Sequence, residues 1–275
     1  MIESILIATD GSDAASAAER FGVALAARLR ARVHGLTVIE DRVTQGLRAE
    51  SLGVPAPNTD GVEGFLRARA EGVTRRLGEL ARQNGLECKV ETLRGIADDR
   101  IVERSQSAAA DLVVLGRDGQ DAKFRTALIG STVDGVLRKT TKPALVVPVG
   151  AELGGPFVLG FDGSPGSRIA AKLAVELAGR LEQAIHCFVD SKDKGRAVAR
   201  FDEVRRLVGT ISVPVREASS TLGRPDVKLV DTARAARAGL IVMGAFGRNR
   251  INEYFLGSNA AAVTRSSPVA VLLAR

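Results

Sequence analysis

Two rhythms of apolar positions alternate along the chain. Short runs with few polar breaks, at residues 2–9, 33–39, 111–115 and 144–149, have the length and β-branched content of strands buried on both faces. Between them the spacing turns helical. Phe21, Ala24, Leu25 and Leu29 share one face of a helix predicted over residues 14–31, and further helices are predicted over 62–84, 96–108 and 131–139. Gly85 reads as the C-terminal stop of the long helix, and residues 87–93 add another strand. After residue 155 the order repeats, with a shorter second helix near 196–208, a strand at 239–243 and a terminal strand at 269–273. Strands that alternate with helices imply parallel sheets covered on both faces. The expected fold is therefore α/β, Rossmann-like, with two tandem doubly wound five-stranded sheets of order 3-2-1-4-5.

Landmarks bring the halves into register. Asp10 precedes His34 by 24 residues, as Asp162 precedes His186, and Gly95 precedes Gly116 by 21, as Gly223 precedes Gly244. From the aspartate to the later glycine the distances are 106 and 82 residues, so the first half carries a 24-residue excess between its second and third strands. The small-residue run at 150–155, closed by Pro156, reads as a linker, which gives expected domains at 1–150 and 151–275. The Gly/Pro/Asn/Asp-rich residues 46–61 read as a lid, a docking loop or a merely mobile stretch.

Chemistry enters with the glycines. Gly116-Arg117-Asp118-Gly119, followed by Gly130-Ser131, is echoed by Gly244-Ala245-Phe246-Gly247, followed by Gly257-Ser258, and each copy directly follows a predicted strand. A strand that breaks into glycines and then opens a helix offers backbone N–H groups and a positive helix end to a phosphate. In a doubly wound sheet the ligand crevice lies beyond the strand ends where the winding reverses, here between strands one and four. Asp10 or Asp162 closes strand one, and Gly116 or Gly244 closes strand four, so carboxylate and glycine loop converge.

Composition narrows the function classes. With 39 Lys+Arg against 32 Asp+Glu the formal charge is +7, which favours anionic ligands. Arg67, Arg69, Arg75 and Arg76 share a helix with Glu71 and Glu79, however, and read as a solvated face; with no Trp and one Tyr, a nucleic-acid surface is disfavoured. No apolar run is long enough for a spanning helix, no secretory leader is visible, and the two cysteines are far apart, so a cytoplasmic protein without membrane partners is expected. Cys88 and Cys187 read as inert strand thiols, and His34 and His186 as satisfied strand histidines.

The doubled GxxG, a spacer near nine residues, Gly-Ser and the preceding aspartate resemble the universal stress protein family in its tandem form. The fold this implies is the adenine nucleotide alpha hydrolase-like one. The resemblance implies a stress-response protein that binds ATP or a related adenine nucleotide (ADP, AMP or cyclic AMP), with Mg²⁺ as a companion of the phosphates. It places phosphates at Gly116, Gly119, Gly130, Ser131 and Thr132, and adenosine near Ala8, Thr9, Asp10, Val38 and Leu115. In the second half phosphates fall to Gly244, Gly247, Gly257, Ser258 and Asn259, and adenosine to Gly160, Phe161, Asp162 and Met243. It also implies that the two terminal strands pair, making an intramolecular pseudo-dimer and leaving a homodimer open.

The copies are unequal. The spacer is nine residues, 248–256, in the second half and ten, 120–129, in the first, where Asp118 and Asp121 add charge that Mg²⁺, Lys123 or Arg125 would have to offset. The second half places Asp190 where the first has Val38, and Phe161 where the first has Thr9. Taken alone, Asp10-Gly11-Ser12 and its copy read equally as Asx turns or helix caps, and Ser131 and Ser258 as caps. No activated nucleophile or multi-carboxylate metal site is visible, which favours a binder. The alternatives are slow ATP hydrolysis, autophosphorylation, or a nucleotide-free scaffold. Adenylation is disfavoured because Thr9-Asp10-Gly11-Ser12 lacks the Ser-Gly-Gly motif of related synthetases.

Overall fold

A computed structural model describes residues 1–40, 60–118, 130–209, 214–221, 223–246 and 256–275. In chain order the first half comprises β1 (Ser4–Ala8), α1 (Asp13–Leu29), β2 (Arg32–Glu40), α2 (Asp60–Gln83), β3 (Cys88–Gly95), α3 (Ala97–Ser107), β4 (Leu112–Gly116), α4 (Ser131–Lys139) and β5 (Ala144–Val147). The second comprises β6 (Phe157–Gly160), α5 (Pro165–Leu181), β7 (Ile185–Asp190), α6 (Lys194–Val208), β8 (Val215–Ser220), α7 (Pro225–Ala235), β9 (Leu240–Gly244), α8 (Ser258–Ser266) and β10 (Ala270–Ala274). Every predicted element is present, displaced by a few residues at its ends.

Each half has the expected order 3-2-1-4-5, but the two sheets are one. The strands run β3-β2-β1-β4-β5-β10-β9-β6-β7-β8, parallel within each half and antiparallel only where β5 meets β10, with Val146 opposite Val271 and Leu145 opposite Leu272. The physical reason lies in the side chains of these two strands. Leu145, Val146, Val271 and Leu272 are each 1% exposed. Left as edges they would present unpaired N–H and C=O groups beside apolar side chains, and pairing removes that liability. At about 1.5–3 kcal/mol for each buried Val or Leu, the seam is a principal bond between the halves.

Alternation along the strands divides the core into two layers. Ile5 and Ile7 of β1 face the layer that also holds Phe21, Leu77, Phe161, Val175 and Phe201, under α1, α2, α5 and α6. Leu6 and Ala8 face the other, with Leu36, Leu115, Val133, Leu229 and Val263, under α3, α4, α7 and α8. Both layers run through the seam, so neither half has a core of its own on either face.

Local signals set the helix ends. Ser12 Oγ accepts the Ala15 N–H at 3.1 Å, and Ser164 Oγ accepts the Ser167 N–H at 3.2 Å, capping α1 and α5. Pro165 opens α5, where its missing N–H costs nothing. Gly85 adopts φ +71° after α2, the left-handed stop expected of it.

Candidate functional site

The chain turns sharply after β1. Thr9 N–H bonds to the Leu36 carbonyl at 2.9 Å, Gly11 takes φ +78°, and the Ser12 N–H donates to Asp10 Oδ1 at 2.9 Å. The second half repeats this: Phe161 N–H bonds to Phe188 O at 2.9 Å, Gly163 has φ +77°, and the Ser164 N–H donates to Asp162 Oδ1 at 2.9 Å. Asx turn and cap are therefore both present, and each aspartate sits at a strand end beside a helix start.

β4 lies directly beside β1, with Ile7 opposite Val114, which brings Leu115 and Gly116 alongside Ala8 and Thr9. β9 lies beside β6 with Gly160 opposite Met243. The glycines closing these strands are needed for packing. A Cβ on Gly116 would lie 2.6 Å from the Ala14 carbonyl carbon and oxygen and 2.8 Å from the Ala15 nitrogen. One on Gly244 would lie 2.8 Å from the Gly166 carbonyl carbon and 2.9 Å from the Ser167 nitrogen. Only a residue without a side chain lets the end of strand four touch the first turn of the helix after strand one. The contact is what narrows the gap between aspartate turn and glycine loop.

From there the chain returns to the same place. Gly130 N–H bonds to Arg117 O at 3.3 Å, and Gly257 N–H bonds to Ala245 O at 2.9 Å, so each Gly-Ser pair lies against the residue after Gly116 or Gly244. Gly130 and Gly257 occupy the cap positions of α4 and α8, and among the described residues neither helix start has a side-chain cap. Ser131 and Ser258 are thus the first helical residues, not caps, and both are exposed, as is Asn259; Thr132 is half-buried. This differs from α1 and α5, whose serines close their own starts. The first N–H groups of any helix lack partners within it, and the positive end of the helix dipole lies behind them at the starts of α4 and α8.

On the adenosine side, Ala8, Leu115 and Met243 are buried in the layer under α3, α4, α7 and α8, with Val38 partly buried against it. A Cβ on Gly160 would lie 3.0 Å from the Leu229 side chain, which closes that space. Phe161 is 2% exposed and belongs to the opposite core layer with Ala171 and Phe201. Its counterpart Thr9 instead donates its hydroxyl to Glu19, a 2% exposed carboxylate that also accepts from Arg76 Nε at 3.1 Å and Nη2 at 2.6 Å. The second half replaces Thr9 and Glu19 by Phe161 and Ala171, an exchange of a polar cluster for an apolar one in the same core position. Gly119 and Gly247 lie outside the described residues, as do Asp121, Lys123, Arg125 and most of 46–61.

Several charges matter that the chain's spacing does not reveal. Asp118 is paired by its neighbour Arg117, whose Nε lies 3.2 and 3.1 Å from its two oxygens. Arg69 and Arg76 do not belong to a purely solvated face: Arg69 Nη2 donates to the Asp10 carbonyl at 3.1 Å, and Arg76 holds Glu19. In the second half Arg200, 7% exposed, donates to the Asp190 carbonyl at 3.1 Å, and Asp190 Oδ1 is buried without a hydrogen-bond partner among the described residues. The sequence signal for Arg200 is a cation at a core-facing helical position, between Ala197 and Val204.

The remaining titratable groups are strand residues. Burial, reinforced by Arg104, Arg32 and Lys89, lowers the His34 pKa, and burial and Arg216 lower that of His186. His34 Nδ1 is buried without a hydrogen bond among the described residues, which corrects the expectation that it is satisfied. Burial raises the Cys88 thiol to about 11 and the Cys187 thiol to about 12. Among the described residues no group of three His, Cys, Asp or Glu side chains could hold a metal, and no helix is long and apolar enough to cross a membrane.

Comparison with known proteins places this geometry. The profile of the universal stress protein family matches residues 1–148 and again 155–275. A universal stress protein of Synechocystis is 24% identical over 300 residues, covering 100% of both chains, and one of Mycolicibacterium smegmatis is 28% identical, covering 71% of each. The crystal structure of a universal stress protein from Archaeoglobus fulgidus superimposes with a TM-score of 0.79 at 20% identity, covering 99% of this chain and 98% of its own, a likeness of fold. With two matched segments spanning nearly all of its length, the chain belongs to the universal stress protein family.

Proposed function

We propose that this protein binds ATP or a related adenine nucleotide in one or both crevices between strands one and four of its halves, as two domains over 1–150 and 151–275, and that it acts by binding rather than by rapid turnover. The observation that carries the reading is the pair of open helix starts. Among the described residues α4 and α8 begin with glycine caps and no side-chain acceptor, at starts folded back against Arg117 and Ala245. A phosphate group supplies the acceptors those N–H groups lack.

In the first crevice the phosphates would meet the N–H groups of Ser131 and Thr132 and the Ser131 hydroxyl, beside Gly130, whose own N–H is held by the Arg117 carbonyl, while Asp10 and the ends of β1 and β2 would hold the nucleoside. In the second, Ser258 and Asn259 would take the first role, beside Gly257, whose N–H is held by the Ala245 carbonyl, and Asp162 with the end of β6 the second. Mg²⁺, where present, would travel with the phosphates. The halves differ in the nucleoside wall: Val38 is apolar, whereas Asp190 brings a carboxylate, with Arg200 on its main-chain carbonyl. Arg117 pairs with Asp118 in the first loop, which offsets that carboxylate's charge.

Denaturing extraction of freshly purified protein, followed by mass spectrometry, tests the reading together with a thermal-shift titration. ATP, ADP or AMP in the extract, or a melting temperature that climbs with ATP concentration, is the expected result. An extract free of nucleotide with no melting shift at millimolar ATP contradicts it and leaves the scaffold reading.

A further inference from the structure

The last carbonyls of a helix have no N–H of their own helix to accept from. At the ends of α4 and α8 the opposite half supplies the donors. Arg117, directly after Gly116 in the first crevice, sends Nη1 to the Ser267 carbonyl at 2.8 Å and the Arg265 carbonyl at 3.2 Å, at the end of α8. Arg275, directly after β10, donates to the carbonyls of Leu137 and Thr140 at the end of α4. The Arg275 guanidinium also lies 4.5 Å from the ring centroid of Phe246, in the loop of the second crevice. The helices held in this way are the two whose first residues, Ser131 and Ser258, open the crevices. Each crevice loop is therefore joined by one arginine to the far end of the helix that opens the other crevice.

The two arginines are not copies of one residue. Gly116 corresponds to Gly244, which sets Ala245 against Arg117, and strand pairing of Gly116 with Val147 and Gly244 with Ala274 sets Pro148 against Arg275. They nevertheless converge on equivalent atoms. Thr140 and Ser267 are the C-cap residues of α4 and α8, and each gives its carbonyl to an arginine of the other half. Arg117 is further fixed in the loop by its pair with Asp118, and Arg275 by its stack on Phe246. A planar fork with several donors holds both position and direction, as a lysine head does not.

We propose that Arg117 and Arg275 couple the two crevices, so that filling one moves the arginine beside it, shifts the helix that arginine holds, and changes phosphate binding at that helix's start in the other crevice. The proposal rests on the reading of the crevices as nucleotide sites. α4 and α8 are nine residues each, rods of about 13 Å, short and stiff enough for a shift at one end to be felt at the other. Coupling of this kind is reciprocal, since each ligand must alter the affinity for the other by the same factor.

Hydrogen exchange on the full chain tests it, with one crevice closed by charge. Ser258→Glu sets a carboxylate against phosphate at the start of α8, a position where an acid suits the helix dipole, and leaves only the first crevice to fill. ATP added to this protein is expected to slow exchange at the start of α4 and to alter exchange across residues 258–264 by about fivefold or more, the low end of ordinary coupling. Arg117→Met on the same background is expected to abolish the response of α8, and Arg117→Lys to restore only part of it. The mirror experiment, Ser131→Glu with Arg275→Met read at residues 131–137, gives an independent answer should one arginine variant fold poorly. Exchange at α4 that responds to ATP while α8 stays still, or an α8 response that survives Arg117→Met, overturns the coupling and leaves the nucleotide reading intact. No response at either helix overturns both.

Discussion

Gly116→Ala isolates the contact that shapes the first crevice. The added methyl would sit 2.6 Å from two backbone atoms of Ala14, about 0.8 Å inside ordinary van der Waals separation. Because those atoms are main chain, no side-chain rotation relieves the clash. Either β4 or the first turn of α1 must move, and the latter carries the Ser12 cap. Overpacking of this kind costs about 3 kcal/mol, and the smaller entropy of an unfolded alanine chain returns about 0.5–1, leaving a net loss of about 2. For a chain of this length that lowers the melting temperature by about 3–4 °C. Gly72→Ala is the matched control. It lies within α2 with nothing within 4 Å of its Cβ position, so alanine there stabilises by about 0.5–1 kcal/mol. Differential scanning calorimetry without nucleotide should show opposite shifts for the two variants. An unchanged melting temperature for Gly116→Ala, or an equal fall for both, would refute the close-approach argument.

Three further outcomes follow from the same structure. Glu19→Ala strips the acceptor from the Thr9 hydroxyl and from Arg76; urea unfolding should show a loss of about 1–3 kcal/mol, mostly from the buried hydroxyl because the Arg76 side chain is half-exposed and partly solvated, while exposed Glu71→Ala changes little. Both histidines have pKa values lowered by burial, so below about pH 6.5 the unfolded chain takes up protons that the folded chain resists. Stability is therefore full above that pH and falls as the pH drops, and a His34→Gln, His186→Gln double variant should flatten melting temperature against pH between 7.5 and 5.5. With thiols at about 11 and about 12, Cys88 and Cys187 should react slowly with Ellman's reagent at pH 8 in the native protein and at once in guanidinium; rapid native labelling would place them elsewhere than the strands.

Much of this was legible because the repeat reads itself. Apolar runs, Gly85 and the paired glycines mark elements through local physics that tertiary context does not override, and two copies in register mark the duplication. What resisted reading depends on which way a side chain turns. Phe161 could face crevice or core, and only its partnership with Ala171, where the first half has Glu19, sends it inward. Arg69 and Arg76 share a charged helix face with Arg67 and Arg75, and nothing in their spacing tells which of the four reach Asp10 and Glu19. The glycine loops read as phosphate cradles, yet Gly116 and Gly244 are glycine because a helix backbone touches them. Arg117 and Arg275 act across the seam, on helix ends about 150 and 135 residues away in sequence, a range at which pattern carries no signal. The merging of two sheets into one followed from the family resemblance and was not visible in either half alone.

The central claim is that the open starts of α4 and α8 receive the phosphates of an adenine nucleotide. Isothermal titration of ATP into the unaltered protein, Ser131→Glu, Ser258→Glu and the double variant tests it most directly, with folding of each checked by circular dichroism. The account predicts that the unaltered protein binds, that at least one single variant loses affinity by tenfold or more through charge repulsion at the helix start, and that the folded double variant does not bind. A double variant that takes up ATP with unaltered affinity and stoichiometry would contradict it.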